Sequence, residues 1–354
     1  MKKLTTLEDI QSAAGRIRNV AVRTPVLDVS HATSDLSHPH PRLHLKCEML
    51  QAIGAFKIRG AYNMIAQMSP EERRRGLLAS SSGNHGQATA MAAAAFNVPA
   101  LIVMPTNAPA AKINGVLRYG AEIVYEGTTS AERRLRGEAI AHAHGMTIIP
   151  PFDHPAIIAG QGTVGLELLE QCPDMSTVYV PIGGGGLISG IATAVKLTKP
   201  STHVVGVEPG GAASMSAALA AGRPIRIDNV TSMADGLLAE RAGEVTFPHV
   251  EKFVDEVMTV SEIEIAQAVL WLFERTRLVV EPSGAVTVAA FFKRNGLPLA
   301  PAPREARSRQ IIDRDEVAVL SGGNVDLALL HKLSLMVAAT ASSEGHAGIE
   351  GTSI

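Results

Sequence analysis

The stretch "VYVPIGGGGLISG" (178–190) ends an apolar, β-branched run and opens an apolar helix through four consecutive glycines. A backbone without Cβ atoms approaches a phosphate closely, and a helix start supplies free N–H groups and positive dipole. Four glycines lose much conformational freedom on folding, so a purely structural role for the run is a poor explanation. Strand, glycine loop and helix in this order are the unit of an α/β fold. The motif does not say which phosphate. A dinucleotide remains a competitor, because Glu208 ends the next strand about where a ribose-binding acid stands.

The same alternation runs outward along the chain. Short apolar runs appear at 42–48, 100–105, 121–126, 146–150, 177–183, 203–209 and 316–323. Helical stretches lie between them, among them "NHGQATAMAAAAF" (84–96) and "AIIAGQGTVGLELLEQ" (156–171). Apolar strands separated by helices predict an α/β fold with mostly parallel sheets flanked by helices. "TTLEDIQSAAGRI" (5–17) predicts a helix capped by Thr6, with Glu8 and Asp9 in its first turn. The Pro- and charge-rich residues 295–310 read as a surface loop, and the small, polar residues 338–354 as a disordered tail.

The 354 residues suffice for two domains. Aromatic residues are only 4% of the chain, which predicts an aliphatic core. A net charge of −2 without a basic stripe argues against nucleic acid as a partner. No apolar run reaches the roughly 18 residues of a membrane span, and the N-terminus turns polar too soon for a signal peptide. Cys47 and Cys172 give no disulfide framework. A cytoplasmic protein without a membrane partner is the expectation. His38, His40 and His44 fall in a Pro-rich loop, His142 and His144 on a polar helix, and no pair has metal-ligand spacing.

Three further stretches carry chemistry. In "IGAFKIRGA" (53–61), Lys57 stands in an apolar run with glycines close on both sides. Burial disfavours the ammonium form, and the neutral amine that results can condense with an aldehyde. A surface lysine with its stem on the core is the plainer reading of these nine residues. "ASSSGNHGQ" (79–87) places Ser hydroxyls, an Asn amide and free backbone donors at a helix start, which suits a carboxylate or phosphate. It also reads as an ordinary cap. "VLSGGN" (319–324) again ends a strand, with Ser321 either capping the next helix or bonding a ring nitrogen.

Taken together these stretches resemble the fold-type II pyridoxal-phosphate (PLP) enzymes, in the branch of threonine/serine dehydratases and serine racemases. The resemblance runs from about Leu4 to Asp326, and "RTPV" (23–26), "ADG" (234–236) and "EPSG" (281–284) fall in family order. It implies two domains of the tryptophan synthase β type: a large PLP-binding domain (1–53 and 154–337) and a small substrate-binding domain (54–153). It implies PLP as cofactor, a small hydroxy amino acid as substrate, and a homodimer. Residue by residue, Lys57 becomes the lysine that carries the cofactor and the base at the substrate α-carbon. Phe56 packs on the cofactor ring and Asn84 bonds the ring hydroxyl. Gly183, Gly184, Gly185, Gly186 and Leu187 cradle the phosphate, and Ser321 meets the pyridine nitrogen. Ser81, Ser82, Gly83, Asn84 and His85 bind the substrate carboxylate.

The implied activity is β-elimination from L-threonine or L-serine, giving a 2-oxo acid and ammonia. Serine racemase and threo-3-hydroxyaspartate dehydratase are alternatives within the same chemistry. A nicotinamide-dependent oxidoreductase using residues 183–186 is the alternative from another class. Ser82 matches the acid/base that serine racemases place opposite the lysine, whereas Phe152 in "PPFDHP" (150–155) resembles the dehydratases. Arg133 aligns with an arginine that can meet a second substrate carboxylate, though it also reads as part of a charged helix face. Ala55 stands where the family usually has Ser. A divalent cation (Mg or Ca) often sits in this branch beside residues matching Glu208 and Ala212, but the third position is Ser214 instead of Asp, which weakens a hard-cation site.

Overall fold

The computed structural model describes residues 4–33, 40–81, 83–108, 110–299 and 311–347. Among these residues, ten strands form two sheets. In chain order they are β1 (Val26–Asp28), β2 (His40–Cys47), β3 (Leu77–Ser80), β4 (Ala100–Met104), β5 (Glu122–Tyr125), β6 (Thr147–Ile148), β7 (Met175–Pro181), β8 (His203–Pro209), β9 (Glu256–Val260) and β10 (Ile311–Leu320). The larger sheet has the order β1-β2-β10-β7-β8-β9 and the smaller one β5-β4-β3-β6. Every pairing is parallel except β1 with β2. The smaller sheet is therefore an excursion between β2 and β7, and β10 closes the larger sheet by returning between those two strands.

Crossover helices bury both faces of such sheets, so their central strands are apolar throughout. Strand β7 follows this rule, with only Ser176 not fully buried. Its Val178 and Tyr179 register with Val317 and Ala318 of β10 on one side and with Val204 and Val205 of β8 on the other. The core is mainly aliphatic, as the composition predicts, but the scarce aromatics gather. Tyr179, Phe291, Phe292 and Trp271 form a run of edge-to-face contacts with centroids 5.0–6.2 Å apart.

The helix at Leu7–Ile17 has the predicted Thr6 cap, with Asp9 N donating to its hydroxyl. Strands β1, β3 and β9 are not among the runs expected from the sequence; β1 and β3 are short and lack a β-branched run, whereas β9 carries Val257, Thr259 and Val260. His40 and His44 lie on β2 and not in a loop. His38 is outside the described residues, as are 300–310 of the expected surface loop. The expected disordered tail is helical over much of its length: one helix runs Leu327–Ala347, and 348–354 lie outside the described residues. The alanines of 338–347 favour helix, and they continue a helix already begun at Leu327.

Three helices meet backbone to backbone. Ile58–Ala66 follows Lys57, Pro155–Gln171 crosses the centre, and Gly186–Thr198 follows the glycine run. A Cβ on Gly160 would stand 2.5 Å from Arg59 O and 2.6 Å from Gly60 Cα. One on Gly190 would stand 2.4 Å from both Gly162 N and Ile158 O. Gly190→Ala should therefore cost ~1–3 kcal/mol or more through overpacking. Gly15→Ala, where no atom lies within 4 Å on another helix, should be neutral or stabilise by about 0.5–1 kcal/mol. Urea unfolding of both variants checks the pair. Equal effects would mean that the seam is not closely packed.

Candidate active site

Ligands of open α/β sheets bind beyond the carboxyl ends of the strands, where the strand order reverses. Here β10 separates β2 from β7, and all four chemical stretches follow strand ends. Lys57 comes after β2, residues 81–85 after β3, the glycine run after β7 and Ser321 after β10. Phe56 N donates to Ser321 O at 3.0 Å, and Ala55 bridges Gly322. The lysine segment and the Ser321 segment are thus joined directly.

Lys57 is half-buried at the start of its helix, and its Nζ donates to Pro151 O at 2.7 Å. Burial lowers its pKa to about 8, against the opposing pull of Glu281. Two residues on, Arg59 anchors the helix. It is fully buried and bonds Glu48 through two nitrogens at 2.8 Å and Glu167 at 2.7 and 2.9 Å. Lys46 Nζ adds a bond to Glu167 at 2.6 Å. Two cations and two carboxylates balance, which is what keeps such a buried set tolerable.

The glycine run closes on the same place. Gly185 sits at φ +96°, a left-handed conformation that glycine adopts without strain, and caps Gly186–Thr198. A Cβ on Gly184 would lie 2.3 Å from the Phe152 ring, and one on Gly186 would lie 2.9 Å from Phe152 Cβ. Thr246 Oγ1 donates to Gly184 O at 2.6 Å and ties the loop down. The backbone N–H groups of Gly183, Gly184, Gly185, Gly186 and Leu187 have no protein acceptor among the described residues. Buried N–H groups are seldom left unpaired, and a helix start prefers an anion. The cradle therefore fits a phosphate, and Lys57, one contact away through Pro151 and Phe152, fits the aldehyde of the same molecule.

Asn84 begins the helix Asn84–Ala95. Its Nδ2 donates to Glu281 Oε1 at 2.7 Å, and its Oδ1 accepts from Asn324 Nδ2 at 2.8 Å. Burial, then Asp235, raises the Glu281 pKa to about 7, opposed by Lys112, which ion-pairs with Asp235. His85 is buried, and its Nε2 faces Ile149 O at 2.7 Å. A carbonyl only accepts, so this nitrogen carries the proton. Burial and then Lys57 drop the ring's pKa to about 3, so it is neutral. Gly83 N donates to Ser81 Oγ at 3.2 Å, and Ser82 lies outside the described residues. Ser321 is 3% exposed and makes one long bond, 3.4 Å, to Ser283 O. It does not cap the following helix, which begins six residues later at Leu327.

Arg133 is buried rather than on a solvated helix face. Its Nη1 and Nη2 donate to Thr128 O and Ser130 Oγ at 3.1 Å, and no carboxylate pairs with it among the described residues. Glu208 is fully buried, and its carboxylate accepts from Met215 N, Ser216 N and Ser216 Oγ at 2.6–2.9 Å. It caps the helix Ser214–Ala221, and burial raises its pKa. That orientation removes it as a ribose ligand. A hard cation is poorly served here: Ser214 offers a hydroxyl and not a carboxylate, and both Glu208 oxygens already accept from the helix start. Elsewhere His44, Cys172 and Asp315 come within 4.8 Å of one another, but Arg42 Nε holds the Asp315 oxygen at 2.6 Å. Glu281, Asn324, Pro151 and Phe152 were not singled out as site residues from the sequence. "EPSG" and "VLSGGN" marked two of the positions, but pairing them needed the fold.

An amine of lowered pKa beside a cradle of backbone N–H donors at a strand-order reversal fits an enzyme whose cofactor is a phosphorylated aldehyde. The chain belongs to the family described as pyridoxal-phosphate dependent enzymes, whose model matches residues 17–301. It is 41% identical over 330 residues to the L-threonine ammonia-lyase of Thermotoga maritima, covering 93% of this chain and 78% of that one. It is 37% identical over 322 residues to the L-threo-3-hydroxyaspartate ammonia-lyase of Saccharomyces cerevisiae, covering 91% and 94%. The structure of maize serine racemase superposes with a TM-score of 0.84 at 36% identity, covering 97% of this chain and 99% of that one. The fold-type II assignment and PLP follow, and the oxidoreductase alternative is overturned.

The lowered Lys57 pKa has a testable sign. Below about 8 the amine is protonated in the folded protein, and above it the amine is free to condense. The rate of PLP uptake by apoprotein should rise with pH to a plateau, with a midpoint near 8. Stopped-flow absorbance reads this directly. A midpoint near the ordinary lysine value would remove the role of burial.

Proposed function

We propose that the protein is a PLP-dependent ammonia-lyase acting on L-threonine and L-serine. The observation that carries this reading is the Lys57 amine, of lowered pKa and bonded to Pro151 O, next to Phe152 packed on the glycine cradle. Bound PLP supplies an electron sink that makes the substrate α-proton acidic. Lys57 Nζ takes that proton. Residues 183–187 hold the phosphate through their N–H groups. The N–H groups of Asn84 and His85, at a helix start, face the substrate carboxylate, and the neutral His85 ring ties that helix start to Ile149. Ser321, at the ring-nitrogen position, is a neutral hydroxyl and cannot keep that nitrogen protonated as a carboxylate would. A site of that kind would suit loss of the β-hydroxyl. The β-hydroxyl leaves as water, balanced by the proton that Lys57 Nζ takes from the α-carbon, and hydrolysis of the enamine product takes up one water and frees ammonia.

The division at 54 and 153 is proposed on the same grounds, because β3 to β6 and the carboxylate loop all fall inside it. Cytoplasmic location and a homodimer are also proposed. The two cysteines are free and buried, in keeping with a reducing compartment, and no helix among the described residues is long and apolar enough to cross a membrane.

A second reading has one specific support. Arg133 is buried, its guanidinium meets only Thr128 O and Ser130 Oγ and no carboxylate among the described residues, and its backbone O accepts from Ser80 Oγ, at the end of the strand that leads into the loop, at 3.0 Å. A dicarboxylic hydroxy amino acid would supply its partner.

The experiment is a substrate panel of L-serine, D-serine, L-threonine and threo-3-hydroxyaspartate, following oxo acid, ammonia and chirality. Oxo acid from L-threonine and L-serine is expected, and Lys57→Ala should abolish it with the fold intact. Turnover of hydroxyaspartate alone, lost in Arg133→Leu, would replace the first reading by the second. Racemised serine without oxo acid would overturn both, and would then be sought in Ser82→Ala.

A further inference from the structure

The Asn84 side chain is held by a run of hydrogen bonds whose direction can be worked out from one end. Asn324 Nδ2 faces Ile53 O at 2.8 Å. A backbone carbonyl has no proton to give, so the Asn324 atom there is the amide nitrogen and not the oxygen. The same nitrogen faces Asn84 Oδ1 at 2.8 Å, and its two protons are then both in use. The Asn84 atom receiving the second proton must be an acceptor, which fixes Oδ1 on that side. Asn84 Nδ2 is thereby turned to Glu281 Oε1, 2.7 Å away. One Nδ2 proton is spent on the carboxylate and one remains.

The surroundings leave little room for another arrangement. A Cβ on Gly54, at φ +72°, would stand 2.5 Å from Asn324 Oδ1. One on Gly322 would stand 2.3 Å from Glu281 Oε1 and 3.2 Å from Asn84 Nδ2. Gly323 N donates to Gly54 O at 2.9 Å, closing the lysine segment onto the Ser321 loop around Asn324. Glu281 is 3% exposed.

We propose that Asn324 and Glu281 are positioning residues that hold Asn84 so that it offers an N–H, not its carbonyl oxygen, to the ring hydroxyl of the cofactor. The proposal rests on the reading that Asn84 meets that hydroxyl. An N–H donor favours the ionised ring oxygen, whereas an amide oxygen would favour the protonated one. Flipping the Asn84 amide therefore reverses its effect with no change in residue or place.

Asn324→Leu removes the donor that sets the direction, and Glu281→Leu removes the acceptor. Both should weaken PLP binding by about tenfold, the loss of one hydrogen bond of ordinary strength. Both should also shift absorbance of the PLP-loaded protein from the visible band toward the near-ultraviolet. Glu281→Gln, whose amide oxygen can still accept from Asn84, should restore most of both. The thermal midpoint of each apoprotein guards against simple unfolding, and Asn324→Asp gives a second, isosteric route. Its oxygens cannot donate to Ile53 O or to Asn84, so it should match Asn324→Leu. Asn84→Ala separates the two levels of the argument. If Asn84→Ala leaves affinity and spectrum unchanged, the contact of Asn84 with the ring is wrong. If Asn84→Ala changes them while both leucine variants leave them unchanged, that contact stands and the positioning proposal fails. Glu281→Gln behaving like Glu281→Leu would remove Glu281 from the proposal.

Discussion

The closeness of three helix backbones is the constraint on which the site depends. Gly60 against Gly160 and Gly162 against Gly190 leave no space for side chains between the helix after Lys57, the central helix and the helix after the glycine run. The rigid distance between the amine and the N–H cradle is a consequence of that contact. Small displacements are costly in interiors packed as closely as organic crystals. The buried Arg59, Glu48, Glu167 and Lys46 set acts in the same direction, since it joins the lysine helix, the segment after β2 and the central helix by charged bonds of 2.6–2.9 Å.

That rigidity gives the chemistry its character. Among the described residues Lys57 bonds a carbonyl and no carboxylate, so burial rather than pairing sets its pKa. The charged partner that it senses, Glu281, is committed to Asn84. Around the same space the neutral groups Ser321 and His85 replace the charged ones that other sites use. The result is a site in which the cofactor phosphate and the substrate carboxylate bring the negative charge, and backbone donors receive it.

Much of this was legible in the residues. Glycine at four successive positions has few explanations, and strands such as β7 and β8 announce themselves by β-branched apolar runs. Lys57 was suspect because its neighbours are apolar. Other features were hidden for physical reasons. Strand β3, "LLAS", is short and carries no β-branched residue, so its strand character comes from pairing with β4 and β6. Arg133 sits in "ERRLR", where helical spacing alone cannot say which arginine turns inward. Glu208 looked like a ligand because it ends a strand, and only the position of Ser216 reveals a cap. The Asn324–Asn84–Glu281 run joins residues about 200 positions or more apart in the chain, a pairing that no local pattern encodes.

The account stands or falls on one amine and one cradle holding opposite ends of a single molecule. Borohydride reduction of the PLP-loaded protein, followed by peptide mapping, tests this most directly. It should place one phosphopyridoxyl group per chain on Lys57. Labelling of a different lysine, or none at all, would contradict it.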